Sequence, residues 1–269
     1  MNMFSFMRKK FNLNKRARFI LSAFILGIGL LFIQSISFSW RYLAVGFWSI
    51  LALPLSLWSL REGLTFKIEW FITPILPVFF CAAVALFYFL FPQSLVYRIS
   101  IFLFFSFGIY IVLLSENIFT VATLRTIALL RAAQAIGFLL TLLTVFFLYN
   151  TVFSFRLFSW WNAILVFFIC FPLFFQSLWT VDLERKMDMK ILLFAVVFSL
   201  VVTELALMVS LLPVNVLTGS LFLTCASYVL LGMASAEISG RLFKKTIYEY
   251  LTVGGLMFLA LLLTTSWTG

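Results

Sequence analysis

The sequence contains no histidine and little charge of either sign. Among its 269 residues, 10% are charged and none is histidine, whereas a soluble domain has about 25% charged residues. Imidazole is a common haem and zinc ligand, and it is the usual general acid or base near neutral pH. Its absence excludes most sites of these kinds, and the shortage of charge argues against a soluble globular domain.

The lack of paired cysteines and of glycine-rich loops limits the kinds of binding site that the chain can form. The three cysteines lie in different apolar runs without Cys-x-x-Cys spacing, so we expect free thiols that pack as small apolar groups. The chain also has no glycine-rich phosphate loop, and we interpret Gly27, Gly29, Gly254 and Gly255 as close-packing points between helices. No motif predicts a cofactor or a resident metal ion, and we expect neither.

Apolar residues, in contrast, make up 64% of the chain, and aromatic residues 19%. A membrane-spanning helix needs about 20 mainly apolar residues. Transmembrane β-strands would alternate apolar and polar residues, whereas the apolar stretches of this sequence are continuous. The sequence predicts an all-α, polytopic integral membrane bundle of nine spans: Phe19–Phe38, Tyr42–Leu60, Trp70–Phe91, Ile99–Ser115, Leu130–Tyr149, Phe158–Trp179, Ile191–Leu212, Val216–Ser235 and Ile247–Trp267.

These spans predict one transmembrane domain over residues 19–267, preceded by a basic tail at 1–18 and followed by a tail at 268–269. The connections are short, so consecutive helices should pack as antiparallel hairpins. The longest inner connection, Glu116 to Leu129, is half apolar. We favour an interfacial amphipathic helix there over a cytoplasmic extension of the fifth span.

The basic residues predict an orientation. With the N-terminus in the cytoplasm, every lysine and arginine except Arg41, Arg98 and Arg156 lies on the cytoplasmic side, as the positive-inside rule requires. The C-terminus is then outside, and a bacterial or archaeal plasma membrane is the expected location.

The bilayer is the expected partner, with anionic headgroups as a further contact of the basic tail. Nucleic acid is not expected, since the isoelectric point near 9.8 follows from this charge bias.

A weak internal similarity links the two parts of the chain. A shift of 121 residues superposes Pro92 on Pro213, Ser106 on Ser227 and Glu116 on Glu237. A duplication would give two parallel halves, 19–115 and 130–235, and a last helix at 247–267, whereas chance similarity in a skewed composition is the other explanation. Such repeats are common among transporters.

Glu204 is the one acid inside a predicted span, close to the middle of the bilayer. A charge there costs at least about 2.5–3.5 kcal/mol, so a partner is expected: Arg131, a hydroxyl group of Thr203 or Ser199, or else an uncharged carboxyl group. The functional interpretation is a coupling or substrate-binding carboxylate of a transporter. A hydrogen-bonded packing residue is the alternative.

Pro74 and Pro77 lie in the first third of the third span and remove two backbone donors. They predict a helix break near the cytoplasmic end, and discontinuous helices line many transporter sites. An ordinary kink, or a first turn that tolerates proline, is the alternative.

We therefore expect a non-enzymatic membrane protein, either a permease-like transporter of a lipophilic or weakly charged solute or a scaffold in a membrane complex. In the transporter, a cavity near Glu204 would have Arg131, Pro74 and Pro77 at its cytoplasmic end. The alternative is an enzyme acting on lipid-linked substrates at the cytoplasmic face, with its acids drawn from Asp182, Glu184, Asp188, Glu116 and Glu237. The mixed charges around the first three of these favour a self-paired, solvated loop over a metal site.

Overall fold

The computed structural model describes residues 14–36, 40–64, 66–92, 94–123, 128–183 and 188–265, and all regular secondary structure in these ranges is helical. Nine of the described segments are long and apolar enough to cross a membrane, with α3 and α4 forming one of them. This supports a multi-pass membrane protein and confirms the predicted all-helical class with nine helices able to span a membrane. The helices are α1 Lys15–Ser35, α2 Arg41–Leu60, α3 Lys67–Ile72, α4 Ile75–Tyr88, α5 Leu95–Ala122, α6 Leu130–Ser154, α7 Ser159–Asp182, α8 Met189–Leu211, α9 Val216–Ile238 and α10 Lys244–Thr264.

Local sequence explains where several helices begin and end. The Ser94 hydroxyl accepts a hydrogen bond from the backbone N–H of Tyr97 (3.4 Å) at the start of α5. The Asp188 carboxylate accepts one from the N–H of Lys190 (3.0 Å) at the start of α8. Gly240, with a φ of 64°, turns the chain after α9. Between such ends, helices satisfy their own backbone donors and acceptors, as lipid requires.

Consecutive long helices pack against each other throughout the described chain, as expected for antiparallel hairpins. We call the end of the bundle where α1 begins the N-terminal end, and the opposite end the far end. The interior lies mainly between α4, α6 and α7, where Phe80, Tyr149 and Phe174 are fully buried. The last helix is peripheral: Leu261 is its one buried residue.

The same packing pattern occurs in α1, α2, α4 and α5 and again in α6 to α9. In each group the first helix packs on the second and fourth, and the third packs on the second and fourth. Ser106 lies where α1 and α5 meet, beside Gly27. At the matching position, Ser227 contacts the hydroxyl group of Tyr149, 3.0 Å away. The arrangement agrees with the proposed duplication, which stays a prediction.

The fourth span is longer than predicted. Helix α5 continues to Ala122, so the prediction of an interfacial helix beginning at Glu116 is wrong for residues 116–122, and residues 124–127 lie outside the described chain. No proline interrupts the segment, and one continuous helix keeps its backbone hydrogen bonds. As a result, Glu116 lies inside the bundle rather than in a loop.

The glycines differ in what surrounds them. Gly27 and Gly29 face side chains of neighbouring helices closely enough that an added Cβ would collide, which confirms them as packing points. An added Cβ at Gly254 would make only an ordinary contact, and at Gly255 it would meet nothing within 4 Å. The packing interpretation is therefore wrong for Gly255, because the face of α10 that carries it has no neighbour in the described chain.

We expect Gly29→Ala to lower the stability of the bundle by about 1–3 kcal/mol, the usual cost of overpacking. The added methyl group would come within 1.9 Å of the Trp48 indole, which must move. Gly46→Ala on α2 is the matched control, since nothing lies within 4 Å of its added Cβ. Unfolding in detergent micelles measures both. Equal stability of the two variants would contradict the proposed contact.

Candidate functional site

Glu204 lies on the outside of the bundle. Its side chain is exposed on α8, and within the described residues it has no hydrogen bond or ion pair. The hydroxyl groups suggested as its partners donate elsewhere: Thr203 to the carbonyl of Ser199 (2.7 Å) and Ser199 to the carbonyl of Val196 (2.9 Å). Neither hydroxyl group forms a hydrogen bond with Glu204 in the described chain, so neither is its partner there.

Arg131 does not approach Glu204 either. It is exposed in the first turn of α6, and α8 packs mainly on α7 and α9. Pro74 and Pro77 are buried at the N-terminal end, where α4 packs against α6. The structure therefore brings the prolines and Arg131 to one end of two neighbouring helices and leaves Glu204 on another surface.

The third span is interrupted where the prolines predict. Helix α3 ends at Ile72 and α4 begins at Ile75, with Thr73 and Pro74 in a turn between them. Pro77 follows in the first turn of α4, where a missing backbone N–H leaves no hydrogen bond unmade. The break is confirmed, and Pro77 occupies the proline-tolerant position that the alternative interpretation described.

The outer surface of α8 is a ridge of exposed side chains at alternating spacings of three and four residues. Glu204 is its one polar member between the ends of the helix. The other exposed residues of this α8 ridge are Leu193, Val197, Leu200, Leu207 and Leu211. An apolar stripe with this spacing and one polar position is typical of helices that pair.

The carboxyl group of Glu116, predicted to lie in an inner connection, lies inside the bundle instead. Glu116 on α5 is fully buried, and its carboxyl group accepts a hydrogen bond from the Gln176 side-chain amide of α7. One oxygen of each group, Glu116 Oε2 and Gln176 Oε1, has no hydrogen-bond partner among the described residues. Buried polar atoms are costly to leave unpaired, so this pair can receive a further donor.

Glu69 is a third acid that the structure places differently. It directly precedes the predicted third span, but it is fully buried in α3. Its carboxylate accepts hydrogen bonds from the backbone N–H of Phe66 (3.0 Å) and from the hydroxyl group of Thr123 (2.9 Å). It therefore ties the start of the third span to the end of the fourth.

Arg18 and Glu62 form another polar contact at the N-terminal end. The guanidinium of Arg18 is buried and donates to Glu62, which also lies 3.5 Å from the Lys15 ammonium. One turn deeper, the hydroxyl groups of Ser22 and Ser59 lie 2.6 Å apart. These contacts join α1 to the end of α2.

A small pocket opens between α6, α7, α9 and α10. It holds about 240 Å³ and is lined by both polar and apolar residues of α6, α7 and α9, with Tyr250 of α10. The Gln134 amide crosses to α7, where it donates to the carbonyls of Thr180 (2.7 Å) and Val181 (3.2 Å). Most of the buried polar side chains with partners in other helices thus lie at the N-terminal end.

The acidic loop after α7 shows no metal geometry in its described part. Asp182 is exposed at the end of the helix, and Asp188 caps α8. Glu184 lies outside the described residues. Within the described ranges, no group of three or more potential ligands comes together.

Residues 20–264 match the family described as "Protein of unknown function (DUF5656)". The chain belongs to this family. The match extends over nearly the whole set of spanning helices, so the α8 ridge and the Glu116–Gln176 pair both lie within the DUF5656 region. No curated protein and no solved structure matches the chain.

In this DUF5656 protein we expect Gln176→Leu to lower stability by about 1–3 kcal/mol, because it leaves the Glu116 carboxyl group without its donor. Glu116→Leu should cost a similar amount, and the double variant less than the sum, since it removes both polar groups. A double-mutant cycle of unfolding in micelles measures this. Glu237→Leu is the control, at the exposed position 121 residues away. Additive effects would contradict the Glu116–Gln176 contact.

Proposed function

We propose that the protein is a non-enzymatic subunit of a membrane complex and that the α8 ridge is its docking surface. One observation carries the proposal: Glu204 is exposed on α8, seven residues before the helix ends at Leu211. At 1.5 Å per residue, the Cα atom of Glu204 lies about 10 Å inside that end.

Contact between this carboxyl side chain and lipid is energetically unfavourable. Ionisable residues in membrane spans almost always face a bundle interior or a water-filled cavity, and Glu204 faces neither within the described chain. A second protein surface over the ridge would supply the missing hydrogen-bonding group. This favours the scaffold hypothesis over a cavity that encloses Glu204.

We assign the covering surface to a second copy of this chain. In a twofold dimer with its axis normal to the membrane, two α8 helices run in parallel and equivalent residues meet at the same depth. Each Glu204 then faces its copy, and two carboxyl groups that share a proton make a hydrogen bond across the interface. Leu200 and Leu207, on either side of Glu204, would each pack against the same leucine of the copy. A basic residue of the copy cannot form an ion pair with Glu204 at this depth. Each lysine and arginine of the described helices lies within the first four residues of its helix.

We expect Leu200→Cys, in a background with Cys225→Ala, to cross-link two chains in lipid vesicles at low protein density. Glu204→Gln should keep the cross-link, since a side-chain amide also bonds to its copy, and Glu204→Leu should reduce it several-fold. Leu103→Cys on α5 is the control, an exposed apolar position away from the ridge. Quantitative gel analysis of cross-linked dimer measures the effect.

Two results would overturn the dimer. One is equal cross-linking from Leu103→Cys and Leu200→Cys, which indicates random collision. The other is a monomer at every lipid-to-protein ratio, whichever residue stands at position 204.

The permease-like transporter is the second candidate, and Glu116 is the observation that favours it. This carboxyl group, unlike Glu204, lies inside the bundle and has an oxygen with no partner in the described chain. Arg131, Pro74 and Pro77 lie at the start of α6 and of the interrupted third span, at the same end of the bundle. A solute path would then open at the N-terminal end. A protein that stays monomeric and moves a solute only with Glu116 intact would favour this function.

We also propose that the N-terminal end faces the cytoplasm, in a bacterial or archaeal plasma membrane, where its basic residues contact anionic headgroups. Reporter fusions after Thr123 and Leu242 should then report inside. Fusions after Leu95 and Ser154 should report outside. A paired alkaline phosphatase and fluorescent protein assay reads both sides, and the opposite result at these four positions would overturn the orientation.

A further inference from the structure

We infer that a pocket at the far end of the bundle binds the phosphate of a phospholipid headgroup. The pocket holds about 370 Å³, within the roughly 300–1,000 Å³ of small-molecule sites. It lies between the turn after α6 and the connection from α8 to α9. Arg156, Asn162, Ser210 and Asn215 give it polar walls, among apolar residues of the same elements.

The electrostatics of the pocket favour an anion. Arg156 is the one charged residue in its lining, and no aspartate or glutamate occurs in the sequence of the segments that join helices at this end. Helices α7 and α9 both begin here, neither with a side-chain cap. Their first turns contribute Asn162 and Gly219 to the walls. Helix N-termini carry free N–H groups and partial positive charge, which attract phosphate.

A buried polar atom in the wall points independently to a ligand. Asn162 is 4% exposed, and its amide nitrogen donates to the Ser210 hydroxyl (3.2 Å) and, more weakly, to the Leu157 carbonyl (3.5 Å). Its Oδ1 has no hydrogen-bond partner among the described residues. A buried acceptor without a partner is costly. A headgroup that carries a hydroxyl donor beside its phosphate would supply one.

The position of the pocket favours a lipid over a soluble phosphate. Phe158, Trp160 and Trp161 are exposed at the start of α7, beside the pocket. Exposed tryptophans mark the depth of lipid headgroups. Apolar wall residues such as Phe153 and Val209 would then contact the glycerol and upper acyl region of the same lipid.

The test compares ligands on the full-length protein in neutral detergent, by native mass spectrometry and thermal unfolding. Phosphatidylglycerol has the phosphate and the hydroxyl groups, phosphatidylcholine lacks the hydroxyl donor, and sn-glycerol 3-phosphate lacks the acyl chains. We expect phosphatidylglycerol to bind most tightly. Arg156→Gln should weaken it at least about tenfold, the loss of one charge-assisted contact. Asn162→Leu should reduce the preference over phosphatidylcholine, and the net negative charge of phosphatidylglycerol beside Arg156 accounts for the rest.

Arg98→Gln is the matched control, because Arg98 lies at the same end of the bundle but outside the pocket lining. Arg156-dependent binding of glycerol phosphate, equal to that of the lipid, would support the phosphate site and assign it to a soluble ligand. Equal losses from Arg98→Gln and Arg156→Gln would overturn the site, as would unchanged binding by Arg156→Gln. The pocket is separate from the Glu204 contact, so a failure of the dimer leaves this test intact.

Discussion

The absence of water from the bilayer interior is the constraint on which the rest of this structure depends. Backbone donors and acceptors must be satisfied within each span, which leaves helices as the solution for chains of this composition. The same constraint applies to side chains, and it explains why Glu69 and Glu116 are buried against donors from other helices. Glu204 meets no such donor in the described chain. The outer surface of α8 is for that reason the candidate surface for a contact with another molecule.

The helices could be predicted closely because apolar run length is a local property. The break at Pro74 could be predicted for the same reason, since proline acts on its own helix. The outward position of Glu204 could not, because the side of α8 that faces outward is set by its packing on α7. An apolar helix exposed to lipid has no polar face to reveal its orientation.

The buried position of Glu116 was missed because the fourth span was predicted to end at Ser115. The segment after Ser115 contains a glutamate, an asparagine and threonines, a composition that is typical of loops. Without a proline the helix continues, and the acid enters the bundle opposite Gln176. The uninterrupted run from Leu95 to Ala122 was the available signal. Recognising the Gln176 partner required the arrangement of α5 and α7 in space.

The peripheral position of α10 affects how the protein unfolds. Its main packing surface is α9, and Leu261 is its one buried residue. The free energy that holds α10 in place is therefore that of a single interface, while the interior helices must break several to separate. Proteins open in cooperative units of unequal stability. We therefore expect the last helix of the described chain to be the least stable unit of this bundle, the first to separate while the other spans stay assembled.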